Sequence, residues 1–175
     1  MSERNWDEIT DGLRETMDRM HQSRETALSR SRALIQTCSK SIRATHRHEF
    51  EQAAILLAEA QRISREAREK MAQHPEVLYA GYLQDAEKEM VEAAAVLAMA
   101  QGDSLPTPDG LGVQVASYLN GMGEAASELR RYVLDLMRHG HMQDAERVLG
   151  QMESIYDVLI TFDYPDGLTG GLRRT

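Results

Sequence analysis

Residues 79–100 read YAGYLQDAEKEMVEAAAVLAMA, and Tyr79, Leu83, Ala86, Met90, Ala93, Leu97 and Ala100 step by four, three, four, three, four and three. That is the heptad seam of a helix packed along another helix; a half-buried strand would alternate every second residue. The pair His74-Pro75 marks the start, because the residue before a proline is pushed out of the helical region. Gly102 marks the end and opens GDSLPTPDG, a loop with two prolines and two glycines. Beyond the loop a second seam of the same rhythm runs through Val115, Leu119, Met122, Ala126, Leu129, Val133 and Leu136, and Arg138-His139-Gly140 closes it.

Working outward, the spacing predicts helices over about Asp7–Thr45, Glu49–Ala72, Pro75–Ala100, Val115–Arg138 and Met142–Ile160. In the first, Trp6, Ile9, Leu13, Met17 and Met20 start an apolar stripe that Leu34, Cys38 and Ile42 continue. Its polar middle, Ser23–Arg32, is a place where a break is expected. Five helices with short connections predict an all-α bundle. The 42% apolar content is enough for one core, and nothing resembles a linker, so residues 1–175 read as a single domain.

Composition also excludes classes. The single Cys38 rules out a disulfide framework within the chain and fits a reducing compartment. No run approaches the roughly 18 apolar residues a membrane span needs. The opening MSERNWDEITD is charged, unlike a secretion signal. These features predict a cytoplasmic protein with no membrane partner. The net charge of −8 argues against purely charge-driven nucleic-acid binding, but Arg24–Arg47 alone carries +5. Local potential decides where a polyanion lands.

Two carboxylate sets stand out. Asp85, Glu89 and Glu92 fall four and three residues apart beside the first seam, and Glu124 and Glu128 lie one turn apart beside the second. Like charges at such spacings repel by roughly 0.2–0.5 kcal/mol per pair. A shared divalent ion would turn that cost into binding energy, and hard oxygen ligands suit Mg²⁺ or Mn²⁺. A solvated acidic face, with Lys88 and Arg131 partly neutralising Glu92 and Glu128, is the alternative reading of the same residues. The spacing also resembles, loosely, all-helical nucleotide pyrophosphohydrolases. A di-iron bundle is disfavoured, since no histidine follows any of these glutamates by three residues.

The tail FDYPDGLTGGLRR, Phe162–Arg174, resembles the F-D-Y-P-D-A-L-T-P-G-L-R-R signature of archaeal translin-family proteins. Three more stretches are similar to the family in the right order: Ser41-Ile-Arg-Ala-Thr-His-Arg-His-Glu-Phe50, Lys88-Glu-Met-Val-Glu-Ala93 and Tyr118-Leu-Asn-Gly121 with Ser127-Glu-Leu-Arg130. The second is similar to the Q-E-Y-V-E-A motif of the translin-associated factor X branch. The resemblance implies a translin-like bundle of about five to seven long helices that assembles into a hollow homo-oligomer, an octamer, around single-stranded RNA or single-stranded DNA. Relatives continue past this tail into one more helix, so a helix beyond Thr175 is implied as well.

In the factor X branch, Mg²⁺-dependent endoribonuclease activity rests on the two motif glutamates and an aspartate on the next helix. Carried over, these fall on Glu89, Glu92 and Glu124, the last being glutamate here, with Glu128 as a further ligand. The expected phosphate contacts are Arg43, Arg47, Arg130 and Arg131, and Tyr79 and Tyr82 are candidates for stacking bases. A non-catalytic, translin-like scaffold that binds single-stranded nucleic acid is the competing expectation.

Overall fold

A computed structural model describes residues 3–175. Its helices are α1 (Glu3–His46), α2 (Phe50–Met71), α3 (Pro75–Leu78), α4 (Tyr82–Gln101), α5 (Pro108–Leu111), α6 (Val115–Arg138), α7 (Met142–Leu159) and α8 (Asp166–Thr169). A single 3₁₀ turn, Leu172–Arg174, follows. Five of these are long, and the described residues contain no strand. The all-α bundle predicted from the seams is therefore the observed fold. No helix among the described residues is long and apolar enough to cross a membrane.

α4 is the hub, packing against α1, α2 and α6. From Met90 to Ala100 every residue except Glu92 is buried, because small alanines let neighbouring helices close in from several sides. The predicted seam holds from Leu83 onward. Its first member does not: Tyr79 is 59% exposed. The helix expected from Pro75 is broken after one turn, where Gly81 adopts φ +99°. Gln84 secures that break, its Oε1 accepting from Gly81 N at 3.1 Å and its Nε2 donating to Leu78 O at 2.9 Å. Only glycine takes such a φ without strain.

α6 begins and ends where the pattern predicts, but its buried face is wider. Ala125 and Tyr132 join Leu119, Met122, Leu129, Val133 and Leu136, while Val115 is 64% exposed. α1 also differs from expectation, running without a break through Ser23–Arg32. Ala27 and Ser31 are buried there, and Thr26 and Thr37 turn their hydroxyls back onto carbonyls four residues earlier. Packing of these buried positions against α2 and α4 holds the polar segment helical. The first turns of α1 extend past the bundle, so Trp6, Ile9, Leu13 and Met17 are exposed and join no core among the described residues.

Two close approaches position the site. Gly121 on α6 lies so near α4 that an added Cβ would stand 2.6 Å from Lys88 O and 2.6 Å from Val91 Cβ. Gly121→Ala is therefore expected to push α6 off α4, costing about 1–3 kcal/mol and spreading the side chains that face each other one turn on. Thermal unfolding paired with Mn²⁺ titration reads both effects; unchanged stability and unchanged titration would contradict the contact. The tail folds back on the same helix, with Asn120 Nδ2 donating to Thr169 O at 2.6 Å and Leu172 buried.

Candidate metal centre

Glu89 and Glu92 lie one turn apart on α4, so both side chains leave the same side of the helix. Glu124 sits one turn after Gly121, whose missing side chain lets α6 bring it to them. One carboxylate oxygen from each of the three lies within 4.8 Å of the others. All three residues are half-buried. The convergence expected from spacing is present for Glu89, Glu92 and Glu124.

Crowding like charges away from water disfavours their ionised forms. Burial, then the Glu124 carboxylate, raises the Glu89 carboxyl above its ordinary range. Glu92 is pushed up to about 7, first by burial and then by Glu89, Glu124 and Glu128. Cys38, fully buried on α1 against this region, has its thiol raised to about 12 by burial and by the Glu89 and Glu92 charges. It is thus held as the neutral thiol, unsuited to act as a ligand or nucleophile.

The neutralising partners differ from those read off the sequence. Lys88 pairs directly with Glu124, its Nζ 2.5 Å from Glu124 Oε1 and 3.9 Å from Glu89 Oε1, and acts on Glu92 only through its charge. Glu128 is partnered by His46 of α1, whose Nε2 donates to Oε1 at 2.6 Å, and not by Arg131. Glu128 stands close enough to act on Glu92 but falls outside the converging trio. Asp85 is exposed at the edge of the site.

The candidate phosphate contacts are dispersed. Arg43 is exposed near the end of α1. Arg47 is exposed and forks onto Glu49 at 2.9 and 2.7 Å. Arg130 and Arg131, adjacent in sequence, point to different sides of α6. Arg130 lines a groove shared with Tyr156 and Phe162, whereas Arg131 lines a recess beside His46. Tyr79 is open to solvent, but the Tyr82 ring is covered by the Arg24 guanidinium at 5.6 Å.

Two features escaped the sequence reading. Glu87, two residues before Glu89, is fully buried with Arg68 and Ser64. The His46–Glu128 pair joins residues 82 positions apart. Periodicity could have flagged Glu87, since it falls on an apolar face of α4; no local signal gives the His46 contact.

An all-helical bundle with carboxylates converging from two adjacent helices defines the class of protein. Two solved structures of AfC3PO match it throughout. One is 32% identical, with a TM-score of 0.87, covering 94% of this chain and 86% of that one. The other, a complex of AfC3PO with duplex RNA, is 31% identical with a TM-score of 0.85, covering 94% and 85%. The chain belongs to the translin/C3PO family. A structure of apo-NeC3PO, 22% identical with a TM-score of 0.83, shares the fold. An uncharacterized protein of Methanocaldococcus jannaschii is 28% identical over 144 residues, 81% of this chain. The match spans 63% of that relative's length. No family model matches the chain.

Proposed function

We propose that this chain is an RNA-binding protein that cleaves RNA phosphodiesters with a divalent ion, Mg²⁺ or Mn²⁺, held by Glu89, Glu92 and Glu124. The observation that carries the reading is the approach of three carboxylates to within 4.8 Å. The donor set fits such an ion: hard oxygens from two rigid helices, with their charge incompletely balanced. An ion bound there would supply Lewis acidity towards a phosphate oxygen and would acidify water. Glu92, near neutrality in its proton affinity, would shed its proton as a cation arrives, so uptake should release protons. Lys88 holds Glu124 in the meantime. Glu128, anchored by His46, braces the α1–α6 side of the site.

RNA as the ligand is supported by kinship with AfC3PO, solved with duplex RNA. Single-stranded RNA remains the proposed substrate, drawn in by phosphate contacts from Arg43, Arg47 and Arg131 that weaken steeply with salt. Arg130 would meet a strand only on the α7 side. One subunit offers little concavity, so a homo-oligomeric chamber, an octamer, completes the proposal. The exposed apolar stripe on α1 supplies surface for another copy. A cytoplasmic location fits the lone thiol.

One observation favours the non-catalytic scaffold instead: the Lys88 ammonium already sits on Glu124. Labelled single-stranded and duplex RNA, incubated with Mg²⁺ or EDTA and with wild type or Glu89→Ala, separates the readings. Cutting that needs Mg²⁺ and Glu89 is the expected result. Tight binding with no cutting establishes the scaffold, and cutting that survives Glu89→Ala removes this residue from the chemistry.

A further inference from the structure

Glu124, Glu128, Arg131, Asp135 and Arg138 follow one another on α6 at steps of four, three, four and three. They form one stripe, acidic at its first two positions and then two arginines flanking Asp135, for a net charge of +1 at that end. With a rise of 1.5 Å per residue, Arg131 lies about 10 Å and Arg138 about 20 Å along the axis from Glu124. The basic end opens into a recess of about 350 Å³ lined by His46, Arg131, Leu134, Asp135 and Arg138. Asp135 is the one carboxylate in that lining, and Arg138 Nη2 already donates to it at 2.7 Å. This leaves the Arg131 guanidinium for a ligand. His46 closes the inner wall, its Nε2 fixed on Glu128, so the recess is joined side chain to side chain to the region of the cluster.

We propose that this recess is a phosphate subsite, in which Arg131, backed by Arg138, holds an RNA phosphate about three nucleotides from the carboxylate cluster. The inference rests on the proposed function and adds a register to it. A guanidinium grips phosphate oxygens through paired N–H donors. A stacked strand advances about 3.4 Å per nucleotide, so about 10 Å of helix spans about three nucleotides. The acidic end repels phosphate until a cation is bound, whereas the basic end accepts it at any time. The strand is therefore anchored at Arg131 first and presented to Glu89, Glu92 and Glu124 afterwards.

The test is binding of a labelled RNA oligonucleotide spanning the stripe, measured in EDTA across a salt series, for wild type, Arg131→Ala and Arg14→Ala. Arg14 sits far off on α1, paired with Asp11, and its removal changes net charge equally. Arg131→Ala should weaken binding about tenfold and lower the slope of log affinity against log salt by about 0.7, while Arg14→Ala matches wild type. A dinucleotide, too short to reach both ends, should show no Arg131 dependence when cleaved with Mg²⁺. Equal affinity and slope for Arg131→Ala and wild type overturn the subsite and remove Arg131 from the proposed phosphate contacts, while the carboxylate chemistry stands. A wild type that binds no RNA overturns the proposed function and the subsite together. Inorganic phosphate binding as tightly as the oligonucleotide, and displacing it, makes free phosphate the ligand and overturns the strand assignment.

Discussion

Glu92→Gln is expected to make the metal-free protein more stable at pH 8 and to abolish metal-dependent cleavage. The two effects have one cause. In the folded chain the Glu92 carboxyl is pushed up to about 7, against an ordinary value of 4.5. Between those values the unfolded chain has lost its proton while the folded chain keeps it, so stability falls as pH rises through that window. Above it, the folded state carries an unwelcome charge costing on the order of 2 kcal/mol once solvent screening is discounted. The neutral amide removes that cost, so the melting temperature in EDTA should rise at pH 8 and change little at pH 4. The same amide removes one anionic ligand. Partners that only touch a ligand are worth 10–100-fold, so loss of a ligand should cost at least about a hundredfold in Mn²⁺ affinity or cleavage. A pH-independent drop in melting temperature would show instead that Glu92 is structurally required.

Glu87→Ala is expected to do the reverse: lower stability by about 3–5 kcal/mol while leaving the converging carboxylates in place. Glu87 is fully buried, and its oxygens accept from Arg68 Nε at 2.6 Å, Arg68 Nη2 at 2.5 Å and Ser64 Oγ at 2.8 Å. Truncation strands a half-buried guanidinium between α2 and α4 without its partner. At 2–4 °C per kcal/mol for a chain of this size, the melting temperature should fall by roughly 10 °C. A paired Glu87→Leu, Arg68→Met replacement should recover most of the loss, because a well-packed apolar pair often substitutes for a buried ion pair. A loss below about 1 kcal/mol for Glu87→Ala would mean that water reaches Arg68 and the network is worth little. Glu87 and Glu92, five residues apart on α4, thus act in opposite senses, one as a scaffold and one as a strained site group.

Much of this was legible in order along the chain. The seams of Leu83–Ala100 and Leu119–Leu136 announced two packed helices, since a helix repeats its faces on a local period. The i, i+3 pair Glu89/Glu92 was legible for the same reason. The break at Gly81 was not, because Tyr79 sustains the heptad rhythm while the backbone leaves it. The apolar stripe Trp6–Met17 also misled as a core signal: its period is right, but these side chains are exposed and no element among the described residues covers them. Charge pairing was the least readable. Lys88 and Glu124, like His46 and Glu128, come from different helices, and which atoms meet depends on helix rotation and separation.

By itself the sequence determined that the chain is helical, where most helices start and stop, and which carboxylates share a helix face; these follow from periods and caps spanning a few residues. Only the tertiary structure decided that α4 and α6 touch at Gly121, that Glu124 rather than Glu128 joins Glu89 and Glu92, and that Glu87 turns inward to Arg68. Those outcomes depend on the distance between helix axes, which close packing of alanines and one glycine sets to within a side chain's reach.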